Sequence, residues 1–251
     1  MTTAERLDGV DLRVGIPDAG TARLADSLGL DRTGSSRREI YLLEDLSGRP
    51  GLLSAAGTTA RLVPALPGHE LVVQLRPVRQ AQLGPRWLGF YSDTRHRLRI
   101  SEEWTTNKRI MIASLTARLD EPIRALAATA GPDGTRSAEG LLTTMQRDFL
   151  AIRTGLVVND RGLRLLGPIL ERAWRLRRYD LDFLVRRWTA RRPRRGTSLD
   201  LIDLEQASVE ADAPFLLPAL RSLAQRQGID TGEEVEPVVV RAVARLSGYH
   251  R

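Results

Sequence analysis

The chain has 251 residues, of which 42% are hydrophobic and 27% charged, the make-up of an ordinary globular protein with a sizeable core. Basic residues outnumber acidic ones 38 to 31, and Lys108 is the only lysine; a nearly all-arginine basic set excludes the glycine-rich phosphate loop, which needs a lysine beside its last glycine. The absence of cysteine excludes disulfides, thiol nucleophiles and cysteine-bound metals together.

Read in chain order, residues 9–16 form a strand in which Gly9, Asp11 and Arg13 share one face while Val10, Leu12 and Val14 share the other. Residues 18–29 read as a short helix with Leu24 and Leu28 on one side, and 37–44 as a second strand. Residues 58–64 and 70–78 read as a hairpin about a Pro-Gly turn, and 97–105 and 109–119 as another. Residues 137–155 carry the clearest amphipathic helix, with Leu141, Leu142, Met145, Phe149, Leu150 and Ile152. Strands at 166–176, 181–188 and 198–206 follow, the last two joined by the basic stretch ARRPRRG, and helices at 213–228 and 235–247 end the chain.

Closely spaced strands with short turns predict an α+β protein: one closed or sandwiched antiparallel sheet with helices outside it. The predicted organisation is a single domain, 1–251, built of two similar halves at about 1–135 and 136–251. No apolar run approaches the ~18 residues of a membrane span. The opening MTTAERLDGVDLRV lacks the layout of a signal peptide, so a cytoplasmic location is expected and no membrane partner.

The polar members of the strands form a second pattern. Arg61 lies on one strand, Gln74 and Arg76 share a face on the next, Glu102 and Glu103 point to opposite faces, and Asp203 and Glu205 share a face with Leu199 and Leu201. Charge recurs in the middle of otherwise apolar strands. Tyr41 reads either as a polar group in a pocket or as packing. The three histidines, His69, His96 and His250, have no metal-ligand spacing. The basic segments 175–188 and 191–196 invite a nucleic-acid reading, but acids interrupt the first, the second reads as a hairpin loop, and no nucleic-acid-binding motif accompanies them. A nucleic-acid partner is therefore not expected.

Four stretches resemble the CYTH superfamily, the triphosphate tunnel fold of class IV adenylate cyclases and thiamine triphosphatases. They are GVDLRV, set against the family's E-x-E-x-K strand; REIYLLED with LLSAAGTTARLV, against a Tyr, an Asp-Thr turn and L-R-x-R; ELVVQLRPV, against VKLRP; and the C-terminal LGPILERAWRL, LDFLVRRW and LDLIDLE. The resemblance implies a closed barrel whose lumen holds acids and bases. It implies Arg13, Arg61, Gln74, Arg76 and Tyr41 as ligand-binding positions, Asp11, Glu102, Asp203 and Glu205 as metal-binding ones, and Mg²⁺ or Mn²⁺ where phosphate chemistry is retained. It also shows departures, since Gly9 stands for the first glutamate, Val63 for the second arginine of L-R-x-R and Gln74 for the lysine. The expected function is a divergent tunnel protein with a degenerate site that acts on or binds a small anionic or polar ligand. The alternatives are a non-catalytic ligand- or partner-binding protein and an ordinary metal-dependent triphosphatase.

Overall fold

A computed structural model describes residues 6–30, 35–46, 52–119, 136–154, 158, 160–191, 198–231 and 238–247. Its strands are β1 (Val10–Gly15), β2 (Ser36–Asp45), β3 (Thr58–Pro64), β4 (His69–Leu75), β5 (His96–Trp104), β6 (Arg109–Leu119), β7 (Arg136–Ser137), β8 (Leu163–Arg178), β9 (Leu181–Arg191) and β10 (Ser198–Ser208). The sheet runs β2-β3-β4-β6-β5-β1-β10-β9-β8, and β2 pairs with β8 to close it; the short β7 adds to β8. All nine predicted strands are present. The barrel departs from a purely antiparallel one at a single place, where β1 runs parallel to β5 in the register Val10↔Glu102, Asp11↔Glu103, Leu12↔Trp104.

The alternation of each strand splits its side chains between two compartments. Outward residues of β1, β9 and β10 (Val10, Leu12, Val14, Phe183, Val185, Ile202 and Leu204) bury against two helices, α1 (Asp18–Leu28) and α5 (Ala213–Gln225). On the other side, Leu62, Leu71, Val73 and Leu115 pack with α2 (Leu52–Ala55), α3 (Gln80–Leu88) and α4 (Thr144–Thr154), where Trp87 meets Phe149 edge-on with ring centroids 5.1 Å apart. α6 (Val238–Ser247) seats Val239, Ala242 and Leu246 on Leu42, Trp188, Leu199 and Leu201. Leu199 and Leu201 share the face of Asp203 and Glu205, so α6 covers one end of the barrel.

Local chemistry sets the helix ends. Gly29, at φ 66°, closes α1 in the left-handed conformation that glycine adopts without cost. α4 begins seven residues later than predicted because Thr143 and Gln146 cap it: Thr143 Oγ1 accepts from the Gln146 backbone N–H at 3.1 Å, and Gln146 Oε1 accepts from the Thr143 N–H at 3.2 Å. α2 is a single turn, too short for a periodic signal, and α3 is interrupted at Gly84-Pro85. Residues 192–196 of the basic stretch, Arg192 among them, lie outside the described residues, as do 235–237 of the last predicted helix and His250.

Candidate functional site: the barrel lumen

The inward faces enclose a cavity of about 940 Å³. Asp11, Arg13, Arg61, Gln74, Asp203 and Glu205, all expected site residues, line it together. Arg76 is tied to the same network through Glu103. Two expected residues are elsewhere. Glu102 stands on the outer face of β5, where it accepts from Trp104 Nε1 at 2.7 Å and from Arg109 at 3.0 Å; the inward carboxylate is its neighbour Glu103. Tyr41 is packed among Leu43, Leu53 and Leu62 on the outer side of the barrel, and its hydroxyl accepts from Arg136 at 3.1 Å. The Glu44 carboxylate likewise has a structural part, accepting the backbone N–H groups of Leu53 and Ser54 at the start of α2.

The inward charges are bound to one another. Arg13 reaches Glu103 at 3.1 Å and Asp203 at 3.2 Å; Glu103 also accepts from Arg76 at 2.5 Å, and Asp203 from Arg241 of α6 at 3.1 Å. Burial would lower the Arg13 pKa, but the adjacent Asp203 and Glu103 charges outweigh it and hold the guanidinium more firmly charged than usual. Asp11 is held by Arg99 in a forked pair at 2.5 and 2.8 Å and by Ser101 at 3.0 Å. Arg186 joins Glu205 at 2.6 Å to Glu171 at 3.5 Å, and Glu171 further accepts from Arg38 and from Trp188 Nε1 at 2.8 Å.

These surroundings drive the two glutamates apart. Burial raises the Glu171 pKa, but Arg186 and Arg38 more than reverse that and leave it below the ordinary value. Burial raises Glu205 as well, and there Arg186 is opposed by the nearby Asp203, so the net shift stays upward. Glu205 is ringed by protein yet open at its tip to the cavity, with its side chain 31% exposed.

Arg61 differs from the paired cations Arg13, Arg76 and Arg186 around it. It lines the cavity and makes no hydrogen bond or ion pair among the described residues. Burial first, and then the nearby Arg186 charge, push its pKa down, with Glu171 and Glu205 only partly compensating. Across β3 and β4 it pairs with Val72, and Gln74, one pleat further along, donates to Ser114 Oγ at 3.1 Å. The Nε of Arg76 is a buried donor with no acceptor among the described residues.

A divalent metal, which the resemblance implies, finds a poor donor set here. Asp11 and Asp203 have both carboxylate oxygens on guanidinium groups, Glu103 and Glu205 each have one so engaged, Glu102 faces outward, and no cluster of three acidic or histidine ligands occurs among the described residues. At Gly9, which the resemblance sets against a glutamate, the backbone itself favours glycine. Its φ is +154°, a conformation that side-chain-bearing residues avoid, and a Cβ would come within 3.4 Å of Arg99 Nη2, the group that holds Asp11.

Sequence reasoning missed Glu171, Arg186 and Arg38. On β8 and β9 both faces mix charge with apolar residues, so periodicity cannot choose the inward one. Glu103 was recoverable, since Leu98 and Ile100 share the parity of Glu102 and so mark that face as the packed outer one.

No protein-family profile matches the chain, and no curated protein does. Solved structures do. A Bacillus halodurans protein named as a "putative adenylate cyclase" aligns over 94% of this chain and 97% of its own at 10% identity, with a TM-score of 0.53. A Hippeastrum protein, named as a "putative adenylyl cyclase" with a dominant triphosphatase activity, aligns over 92% of this chain and 94% of its own at 13% identity and a TM-score of 0.47. A Pyrococcus horikoshii structure is more distant, with 8% identity and a TM-score of 0.38 over 89% and 94%. A barrel closed by nine strands, charged within and clad by helices without, is thus matched over nearly its whole length by the Bacillus halodurans structure, and the chain has that fold, the one its resemblance to the CYTH superfamily implies.

Proposed function

We propose that the lumen binds a small anionic ligand through Arg61 and does not carry out metal-dependent triphosphate hydrolysis. One observation carries this reading: the other arginines deep in the lumen are already paired with carboxylates, and Arg61 is not. A triphosphate brings three or four negative charges into a desolvated space, and each must meet a cation or a metal. Here Arg13, Arg76 and Arg186 would first have to give up Glu103, Asp203 and Glu205. Truncating one partner of a buried charge pair costs about 2–5 kcal/mol, so recruiting several of them uses up most of what the phosphate contacts return. One anionic group on Arg61 disturbs no pair, and it replaces water at a guanidinium that burial has already made less comfortable with its charge.

The test is calorimetric titration of the whole chain with inorganic phosphate and acetate, and with tripolyphosphate and Mg²⁺, beside a phosphate-release assay on ATP and tripolyphosphate with Mg²⁺ or Mn²⁺. The reading expects single-site binding of a simple anion that Arg61→Met abolishes, and no metal-stimulated release. Robust turnover of either triphosphate by the unaltered chain would overturn it.

A further inference from the structure

The cavity is not equally polar all round. Where Arg61 projects, its cross-strand neighbour is Val72, and the next inward position of β3 is Val63. Both pack with Trp188 and Val239, so the unpaired guanidinium rises beside an apolar floor that α6 completes. At the other extreme, the exposed Tyr91 and Arg97 line the same cavity. Arg97 is the second cavity-lining cation with no ion pair among the described residues, but it stands in solvent, where an ion contact is worth little. Glu70, an acid with no ion pair among the described residues, stands opposite Val63 on β4 and repels a second negative charge from that side.

Building on the reading above, we infer that the ligand is an organic anion with a single charged head and an apolar body, a carboxylate or a phosphomonoester, its head on Arg61 and its body against Val63 and Val72. One unpaired deep cation sets the charge at one head. The acid at Glu70 disfavours a longer anionic chain such as a polyphosphate. The apolar floor sets the rest, because a purely inorganic anion leaves Val63, Val72 and Val239 in contact with water and gains nothing from them, whereas each methylene of an organic body laid on them tightens binding about fourfold. A cavity of about 940 Å³ has room for such a body in addition to its head.

The experiment titrates the full chain with two matched pairs, hexanoate against acetate and phenyl phosphate against inorganic phosphate, with tripolyphosphate as a fifth probe. The expected result is that the apolar member of at least one pair binds more than about tenfold tighter than its bare head. Whichever pair shows it assigns the head as carboxylate or phosphomonoester. Arg61→Met should abolish binding of both members, whereas Val72→Asn should bring the two members of the pair together and leave head-group binding in place. If a bare head binds as tightly as its apolar partner, or tripolyphosphate binds tightest, the inference fails while the lumen still binds anions. If no probe binds, the inference and the anion-binding reading fall together. Tight binding of the apolar probes that survives Arg61→Met would overturn the placement of the head. Should Arg61→Met not fold, Arg61→Gln, of similar length and no charge, gives the same comparison.

Discussion

Two walls of one lumen treat charge in opposite ways. Along β1, β5 and β10, acids and bases alternate and neutralise one another: Arg13 lies between Glu103 and Asp203, with Arg76 and Arg241 behind them. Across the cavity, on β3 and β4, Arg61 stands beside Val63 and Val72 with no ion pair among the described residues. The charges of the first wall hold one another; those of the second, Arg61 and Glu70, have no ion pair among the described residues. Charged residues inside a barrel therefore do not by themselves mark a phosphate site. What counts is which of them remain unpaired.

The sharpest way to break this comparison is Arg13→Met. Arg13 and Asp203 are both nearly inaccessible, with side chains 6% and 1% exposed. Removing the cation takes one of two guanidinium partners from each of two buried carboxylates, leaving Glu103 with Arg76 and Asp203 with Arg241, and a loss of about 2–5 kcal/mol is expected in urea denaturation. A loss below 1 kcal/mol would mean that the first wall is not structural. Next comes acid. The pKa of Glu171 is lower in the folded chain than in the unfolded one, so the ionised group contributes stability that is complete above its ordinary value of 4.5 and disappears as pH falls through the lower folded value. Glu205 has the opposite sign: its folded pKa is raised, so the stability tied to its protonated form is present below 4.5 and lost as pH rises through the folded value. Stability measured from pH 7 down to pH 3 should fall at the acid end, and Glu171→Gln should flatten that limb, whereas Glu205→Gln should not.

Smaller effects sharpen the contrast. Arg61→Met should leave stability unchanged or raise it by up to about 1 kcal/mol, because a disfavoured charge is exchanged for an apolar chain of similar length. A drop comparable to that of Arg13→Met would show that Arg61 is structural after all. Glu102→Gln should do least. It loosens an outer contact with the half-exposed Arg109, and a change under about 1 kcal/mol, with ligand binding untouched, is the expected outcome.

Most of the barrel was legible in the sequence, because a strand that packs helices on one face and lines a cavity on the other must alternate, and nine strands did so in order. The pairing of faces was legible too where the contrast was strong: Asp11 and Arg13 against Val10 and Leu12, Asp203 and Glu205 against Ile202 and Leu204. Two neighbouring glutamates on β5 defeated that reading until the parity of Leu98 and Ile100 was taken into account. The pairing partners were not legible. Whether Arg61 or Arg76 keeps its charge free depends on which carboxylate a distant strand brings opposite, and that is settled by the closure of the barrel. Gly9 shows the same limit. The identity of residue 9 can be read from the sequence, but its backbone at φ +154°, which disfavours any side chain there, cannot.

The parallel seam between β1 and β5 bears on how the chain folds. β1 lies between β5 and β10, and the Arg13–Asp203 contact joins residues 190 positions apart. Closing a loop of that length costs roughly 5 kcal/mol of chain entropy. On a ribosome adding about 5–20 residues per second, the first strand emerges some 10–40 seconds before its last partner. Until β5 has followed, β1 has neither of its sheet neighbours and one apolar face, the kind of segment that pairs with other chains in a crowded cell. Asp11 and Arg13 put charge on its other face, a feature that disfavours such pairing.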